Sequence, residues 1–125
     1  MKNIELHPSV QKDLSSIKEE IANAISHGLG AFIGVVSLPF IVYLGWKSGN
    51  TNYLAGSIIY SLSFLMVFLS STLYHITFRP GLRKFFQILD HISIFFLIAG
   101  TYTPFIFIHV NNGTGWTIFM TLWIM

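Results

Sequence analysis

Three long apolar stretches, separated by short polar segments, make up most of this chain. Asp, Glu, Lys and Arg are absent from residues 21–46, 48–78 and 91–125. Each of these runs exceeds the roughly 20 residues that an α-helix needs to cross the hydrocarbon core of a bilayer. The apolar residues are continuous rather than alternating with polar ones, which favours helices over the strands of a membrane barrel. The pattern therefore predicts an all-α membrane protein.

The expected architecture is a single membrane domain of 125 residues, built as a polytopic helix bundle. Residues 1–20 are polar, and we expect them to form a tail or a short interfacial helix. Three complete spans and the beginning of a fourth should follow. Their predicted bounds are about 25–46, 53–75, 85–109 and 116–125.

Glycines and prolines mark special positions inside these spans. Gly30 and Gly34 are four residues apart and should let another helix approach closely. Pro39 should bend the first span, and Pro104 should bend or end the third, since proline lacks the amide hydrogen that a helix requires.

The few charged residues predict which ends of the spans face the cytoplasm. Three lysines precede the first span, and Arg79, Arg83 and Lys84 lie between the second and third, whereas the loop after the first span contains only Lys47. By the positive-inside bias, the N-terminus and the 78–84 loop should be cytoplasmic. The formal charge of +2 is too small to indicate a nucleic-acid partner, so the expected partners are membrane lipids. The absence of cysteine excludes disulfides, thiol catalysis and thiolate-bound metal.

Polar side chains collect at one end of the predicted bundle. Because the spans alternate in direction, residues at the start of the first and third spans and at the end of the second should all lie near the inner face of the membrane. Ionisable groups at such depths are costly to desolvate, so their coincidence indicates a functional site, although any one of them alone is more typical of a residue that extends to interfacial water. These residues are Glu20, Asn23, His27, Ser71, His75 and Asp90.

The same residues belong to four short motifs. They read E-x-x-N-x-x-x-H from Glu20 to His27, S-T-L-Y-H from Ser71 to His75, L-D-H-I-S at 89–93 and I-A-G-T-Y-T-P at 98–104. In order and spacing they resemble the bacterial hemolysin III family. That family is related to the progestin and adipoQ receptors, including the adiponectin receptors, and distantly to the alkaline ceramidases.

The resemblance implies a seven-helix membrane protein with a zinc site near the cytoplasmic side. His75 would be one zinc ligand, and an H-x-x-x-H on the seventh helix would supply two more. Asp90 would hold the zinc-bound water and act as general acid and base, while Ser71 would hydrogen-bond the developing oxyanion. The implied activity is zinc-dependent hydrolysis of a lipid amide resembling ceramide, or the function of a receptor-like relative. The motif of Glu20, Asn23 and His27 carries no ligand role in this scheme.

The chain stops at Met125, ten residues into the apolar run that begins at Trp116. We therefore expect a fragment with a truncated fourth helix and without two of the three zinc ligands, which binds zinc weakly or not at all and is inactive alone. It would need to associate with itself or with a separate C-terminal half. A plasma-membrane location with several crossings is expected. Two other classes of function stay open: a cytolytic or pore-forming protein, and a non-catalytic membrane remnant.

Overall fold

A computed structural model of the chain describes the backbone of residues 8–125 and the side chains of residues 13–125. Within this part the chain forms helices joined by short loops and contains no β-strand. Three helical segments, Asp13–Lys47, Thr51–Ile76 and Pro80–His109, are long and apolar enough to cross a membrane. The prediction of an all-α membrane bundle is confirmed. The four helices are α1 (Pro8–Lys47), α2 (Thr51–Ile76), α3 (Pro80–His109) and α4 (Gly113–Ile124).

The first helix is continuous and much longer than a bilayer is thick. Its 40 residues extend about 60 Å at roughly 1.5 Å per residue, about twice the thickness of the hydrocarbon core. The part of the predicted tail that lies within the described residues is therefore helical and continues directly into the first apolar stretch. Residues 1–7 of that tail lie outside the described backbone.

Short turns hold consecutive helices side by side and antiparallel. The turn between α1 and α2 contains Gly49 at a φ of +67°, a left-handed conformation that glycine adopts without steric cost. Asn50 then caps α2, because its side-chain oxygen accepts a hydrogen bond from the Asn52 amide at 2.9 Å. Asn112 caps α4 in the same way, through the Gly115 amide at 3.0 Å.

The helices pack in a row, α1 on α2, α2 on α3 and α3 on α4. Gly30 lies so close to the Phe68 ring that even a Cβ atom would collide with it, and a Cβ on Gly34 would lie 3.3 Å from Leu65. The predicted close approach at this glycine pair is confirmed. Between α2 and α3, a Cβ on Gly56 would lie 2.7 Å from the Cα of Pro104.

The interior of the bundle consists mainly of small residues, many of them polar, and its outside is apolar. Large apolar side chains cover the exposed surfaces of all four helices, whereas small hydroxyl residues occupy the seams. Helices in lipid gain nothing from hiding leucine, so small residues that allow backbone approach and interhelical hydrogen bonds lie between them. This arrangement is typical of a membrane bundle. The buried polar residues are Ser61, Ser63, Ser70, Ser71, Ser93 and Thr103.

The two prolines inside the apolar stretches do not end their helices. Pro39 lies within α1, and α3 continues past Pro104 to His109. Next to Pro104, the Thr103 hydroxyl donates to the Ala99 carbonyl at 2.7 Å and accepts from the Trp123 indole at 3.1 Å. The second of these bonds fastens α4 to α3.

Candidate functional site

One carboxylate joins the first three helices at one end of the bundle. Glu20 on α1 places one oxygen 2.7 Å from Nδ1 of His75 on α2 and the other 2.6 Å from a guanidinium nitrogen of Arg83 on α3. The side chains are partly buried, with exposed fractions of 31% for Glu20, 12% for His75 and 29% for Arg83. We call these three residues the clamp.

Arg83 is itself held in place from two sides. Its guanidinium donates to the Thr77 carbonyl at 3.3 Å and lies 4.6 Å from the centre of the Tyr74 ring. The first contact satisfies a carbonyl in the loop after α2, and the second is within cation–π range. The clamp therefore ties the end of α2 and the start of α3 to one point on α1.

The contact with Glu20 determines which ring nitrogen of His75 carries a proton. An ionised carboxylate can only accept hydrogen bonds, so Nδ1 must donate to Glu20. In the neutral imidazole the lone pair then lies on Nε2. Histidines that bind a metal or accept a proton through one ring nitrogen commonly donate the other ring N–H to a carboxylate in this way.

A second imidazole lies against the first. The rings of His27 and His75 are 5.9 Å apart between centroids and inclined by 29°. His27 also contacts Phe68, at 5.8 Å between ring centroids. Its Nδ1 atom is buried and has no hydrogen-bond partner among the residues that the structure describes.

Asp90 lies at nearly the same height in the bundle as His75. The register of α2 and α3 follows from the hydrogen bond between Ser70 and Ser93, whose hydroxyl oxygens are 3.1 Å apart. His75 lies five residues beyond Ser70, and Asp90 lies three residues before Ser93 on the antiparallel α3. At about 1.5 Å per residue their heights differ by about 3 Å. Ser71 is buried one turn before His75 on α2.

The fold brings some of the sequence-predicted residues together and leaves others apart. Glu20 and His27 both contact His75. Asn23 does not join them, since its side chain is exposed and its backbone carbonyl accepts a bond from Ser26 at 3.1 Å. The half-buried carboxylate of Asp90 pairs with no side chain in the described part of the chain.

Arg83 was missed as a site residue, because its positive charge was used only to predict orientation. Two sequence signals could have found it. It follows His75 after a loop of a few residues, and it carries the charge opposite to Glu20 at the same predicted depth.

The residues present fit one part of a zinc site. His75, oriented through Nδ1, fits a single neutral imidazole ligand that binds through Nε2. A catalytic zinc takes three protein ligands. Among the described residues, three or more His, Cys, Asp or Glu side chains do not come close enough together to share a metal ion.

An apolar groove opens beside the clamp. It has a volume of about 430 Å³ and runs between the start of α1 and the end of α2. Ser16, Glu20 and His75 form its polar part. The apolar walls would suit an acyl chain, and the polar part would lie next to the head of such a lipid. The walls are formed by Ile17, Ile21, Ala24, Ile25, Ile76 and Phe78.

Comparison with known sequences connects this geometry to a family. The sequence model of the family described as "Haemolysin-III related" matches residues 15–125. The chain belongs to the hemolysin III family. The matched region contains the whole clamp, the His27 ring and Asp90, so the resemblance carried by the four motifs is confirmed.

Two Bacillus relatives in the hemolysin III family show how much of a longer protein the chain represents. Hemolysin-3 of Bacillus cereus is 41% identical over 107 residues, which cover 86% of this chain and 49% of that protein. The Hemolysin-3 homolog of Bacillus subtilis (strain 168) is 37% identical over 108 residues, covering 86% of this chain and 51% of the relative. The chain thus spans about half the length of these relatives. No solved structure matches it significantly.

Proposed function

We propose that this chain supplies one part of the catalytic site of a zinc-dependent membrane hydrolase that cleaves a lipid amide resembling ceramide. The observation that carries the proposal is the clamped His75, at nearly the same height as Asp90 and beside an apolar groove. The complete site would need further ligands, contributed by a second copy of the chain or by a C-terminal half. The protein would cross the plasma membrane several times, with the clamp on the cytoplasmic side.

The chemistry assigns a separate task to each side chain. His75 would hold zinc through Nε2, and zinc when bound lowers the pKa of a water molecule to about 7 and so supplies a nucleophile at neutral pH. Asp90 would accept the proton of that water and return it to the leaving amine. Ser71 would donate a hydrogen bond to the carbonyl oxygen as negative charge develops there. Water is thereby added across the amide bond, which yields a fatty acid and an amine.

A second candidate is cytolysis. It is favoured by the names of the relatives, Hemolysin-3 and Hemolysin-3 homolog, and by no geometric feature of the described residues. A conducting pore should have polar side chains along a whole helix. Most of the charged side chains in the described part of the chain instead lie toward the clamp end, and Ser61, Ser63 and Thr103, further along α2 and α3, are buried in the seam.

The test uses a chimera in which this chain replaces the part of Bacillus cereus Hemolysin-3 that it matches. Zinc content is measured by elemental analysis, and hydrolysis is followed with a fluorescent ceramide in liposomes. We expect His75→Ala to lose bound zinc and to reduce hydrolysis by more than about 100-fold, because a ligand should matter at least as much as the groups that orient it. The matched control is His109→Ala, which removes an exposed histidine at the other end of α3.

The possible outcomes separate the three classes of function. Zinc binding and hydrolysis that survive in the His75→Ala chimera would refute the proposal. Release of a dye from liposomes that persists in this variant, without amide hydrolysis, would establish cytolysis instead. A folded chimera that shows neither activity would be a non-catalytic membrane component.

A further inference from the structure

We propose that Glu20 is a positioning residue for His75: by accepting a hydrogen bond from Nδ1, Glu20 holds the proton there and leaves the lone pair on Nε2. The role rests on the proposed function in one respect, since it concerns the same histidine. It adds a task for Glu20, a residue whose motif had no assigned role, and it makes Arg83 part of the site.

The proposal rests on the fact that each carboxylate oxygen of Glu20 bonds a different side chain. A pair formed only to join helices would place both oxygens of Glu20 on the guanidinium, because the two-pronged geometry is the strongest that arginine offers. In this chain one oxygen bonds Arg83 at 2.6 Å, and the other bonds Nδ1 of His75 at 2.7 Å. The guanidinium therefore orients the carboxylate, and the carboxylate orients the imidazole.

The other groups around the His75 ring do not determine which nitrogen is protonated. His27 contacts the ring by stacking, with 5.9 Å between centroids, and Tyr74 lies beside it at 4.9 Å. Neither contact is a hydrogen bond to Nδ1. Arg83 reaches Glu20 and the Thr77 carbonyl instead of the ring. If Glu20 is removed, either nitrogen of His75 is free to carry the proton.

The role of Glu20 is tested by identifying the protonated nitrogen of His75 directly. The intact 125-residue chain is labelled with ¹⁵N-histidine, reconstituted in lipid nanodiscs without metal, and studied at alkaline pH, where imidazole is neutral. Long-range ¹H–¹⁵N spectra distinguish a protonated ring nitrogen from an unprotonated one, and loss of signals in His75→Gln assigns the resonances. We expect a single pattern with the proton on Nδ1.

Two variants complete the experiment. Glu20→Leu removes the acceptor at similar side-chain volume and should replace the single pattern by one with the proton on Nε2 or by a mixture. Glu19→Leu removes the same charge from the neighbouring exposed position and should leave the pattern unchanged. Circular dichroism shows whether each variant keeps its helices.

Several results would overturn the positioning role. A proton on Nε2 in the unmodified chain would refute it without any variant, so the test does not depend on the folding of Glu20→Leu. An unchanged pattern in a helical Glu20→Leu variant would refute it as well. The spectra require neither zinc nor substrate, so failure of the zinc hydrolase proposal would show in the chimera and leave this measurement intact.

Discussion

The carboxylate of Glu20 forms hydrogen bonds with two side chains of different chemistry. Arg83 is always charged, whereas an imidazole can donate through Nδ1 to Glu20 in either its neutral or its charged form. Removing Arg83 would leave a partly buried carboxylate with only one partner, which costs more than the loss of an ordinary surface ion pair. Because Glu20 and Arg83 are each about 30% exposed, water would compensate for part of this loss.

We expect Arg83→Met to lower the free energy of unfolding by about 1 kcal/mol, since it removes the Glu20 bond and the contacts to Thr77 and Tyr74. The measurement is loss of helical signal during titration with denaturing detergent in mixed micelles. The matched control is Arg79→Met, an exposed arginine whose side chain forms no capping bond. Equal destabilisation by the two variants would show that the clamp contributes nothing to stability.

The hydroxyl pair of Ser70 and Ser93 should contribute a measurable coupling between α2 and α3. In a double-mutant cycle with serine-to-alanine changes, we expect a coupling energy of about 0.6 kcal/mol and no more than roughly 1.7 kcal/mol, as for other hydrogen bonds inside membrane bundles. Ser26 offers the control, because its hydroxyl is exposed and bonds the Asn23 carbonyl on its own helix. Ser26→Ala and Ser70→Ala should be additive. Zero coupling between Ser70 and Ser93 would contradict the prediction.

Helix α2 is central to the arrangement, with α1 on one side and α3 on the other. Its contacts depend on the absence of a Cβ atom at certain positions, because glycine leaves room for the neighbouring helix. At Gly30 the partner is an aromatic side chain, whereas at Gly56 it is the backbone of Pro104. A side chain can rotate away from an added methyl group, but backbone atoms can move only if the whole helix moves. Glycines that face backbone should therefore tolerate substitution least.

Two glycine substitutions should have opposite effects on stability. Gly56→Ala places a Cβ 2.7 Å from Pro104 and should destabilise the bundle by about 1–3 kcal/mol through overpacking. Gly81→Ala adds a Cβ in open space near the start of α3, so helix propensity should stabilise the protein by about 0.5–1 kcal/mol. Unfolding in mixed micelles measures both. If Gly56→Ala were as stable as Gly81→Ala, the close contact between α2 and α3 would be wrong.

The bundle as a unit has two chemically different ends. One holds the clamp together with Arg79 and Lys84, and the other holds the asparagine-capped turns before α2 and α4. The charge bias predicts that the clamp end faces the cytoplasm. Antiparallel packing of α2 on α3 would then place the 110–112 loop on the opposite side of the membrane.

Single cysteines can test this orientation without background, because the chain has none of its own. We expect Asn111→Cys to react with a membrane-impermeant maleimide in intact cells, and Lys84→Cys to react only after the cells are permeabilised. Both positions are exposed and lie at opposite ends of α3. Labelling of Lys84→Cys from outside would reverse the orientation and move the proposed site to the other face.

The uncharged apolar runs predicted an all-α membrane bundle, and the order and spacing of the four short motifs predicted the hemolysin III family. The runs were sufficient for the fold class because length and hydrophobicity alone determine whether a helix can span lipid. The motifs also brought Glu20 and His27 into the candidate site. The extent of α1 was not readable, since polar residues at its start are equally compatible with a tail and with a continued helix.

Only the tertiary structure showed how the site is assembled. The pairing of Glu20 with His75 and Arg83 joins residues up to 63 positions apart, and no local pattern specifies which oxygen bonds which partner. The exposure of Asn23 was likewise decided by how α1 turns against α2. Spacing along a helix shows which side chains share a face, but packing against neighbouring helices determines which of them meet. For that reason the sequence determined the class and family of this protein, and the contacts between its helices determined the chemistry at His75.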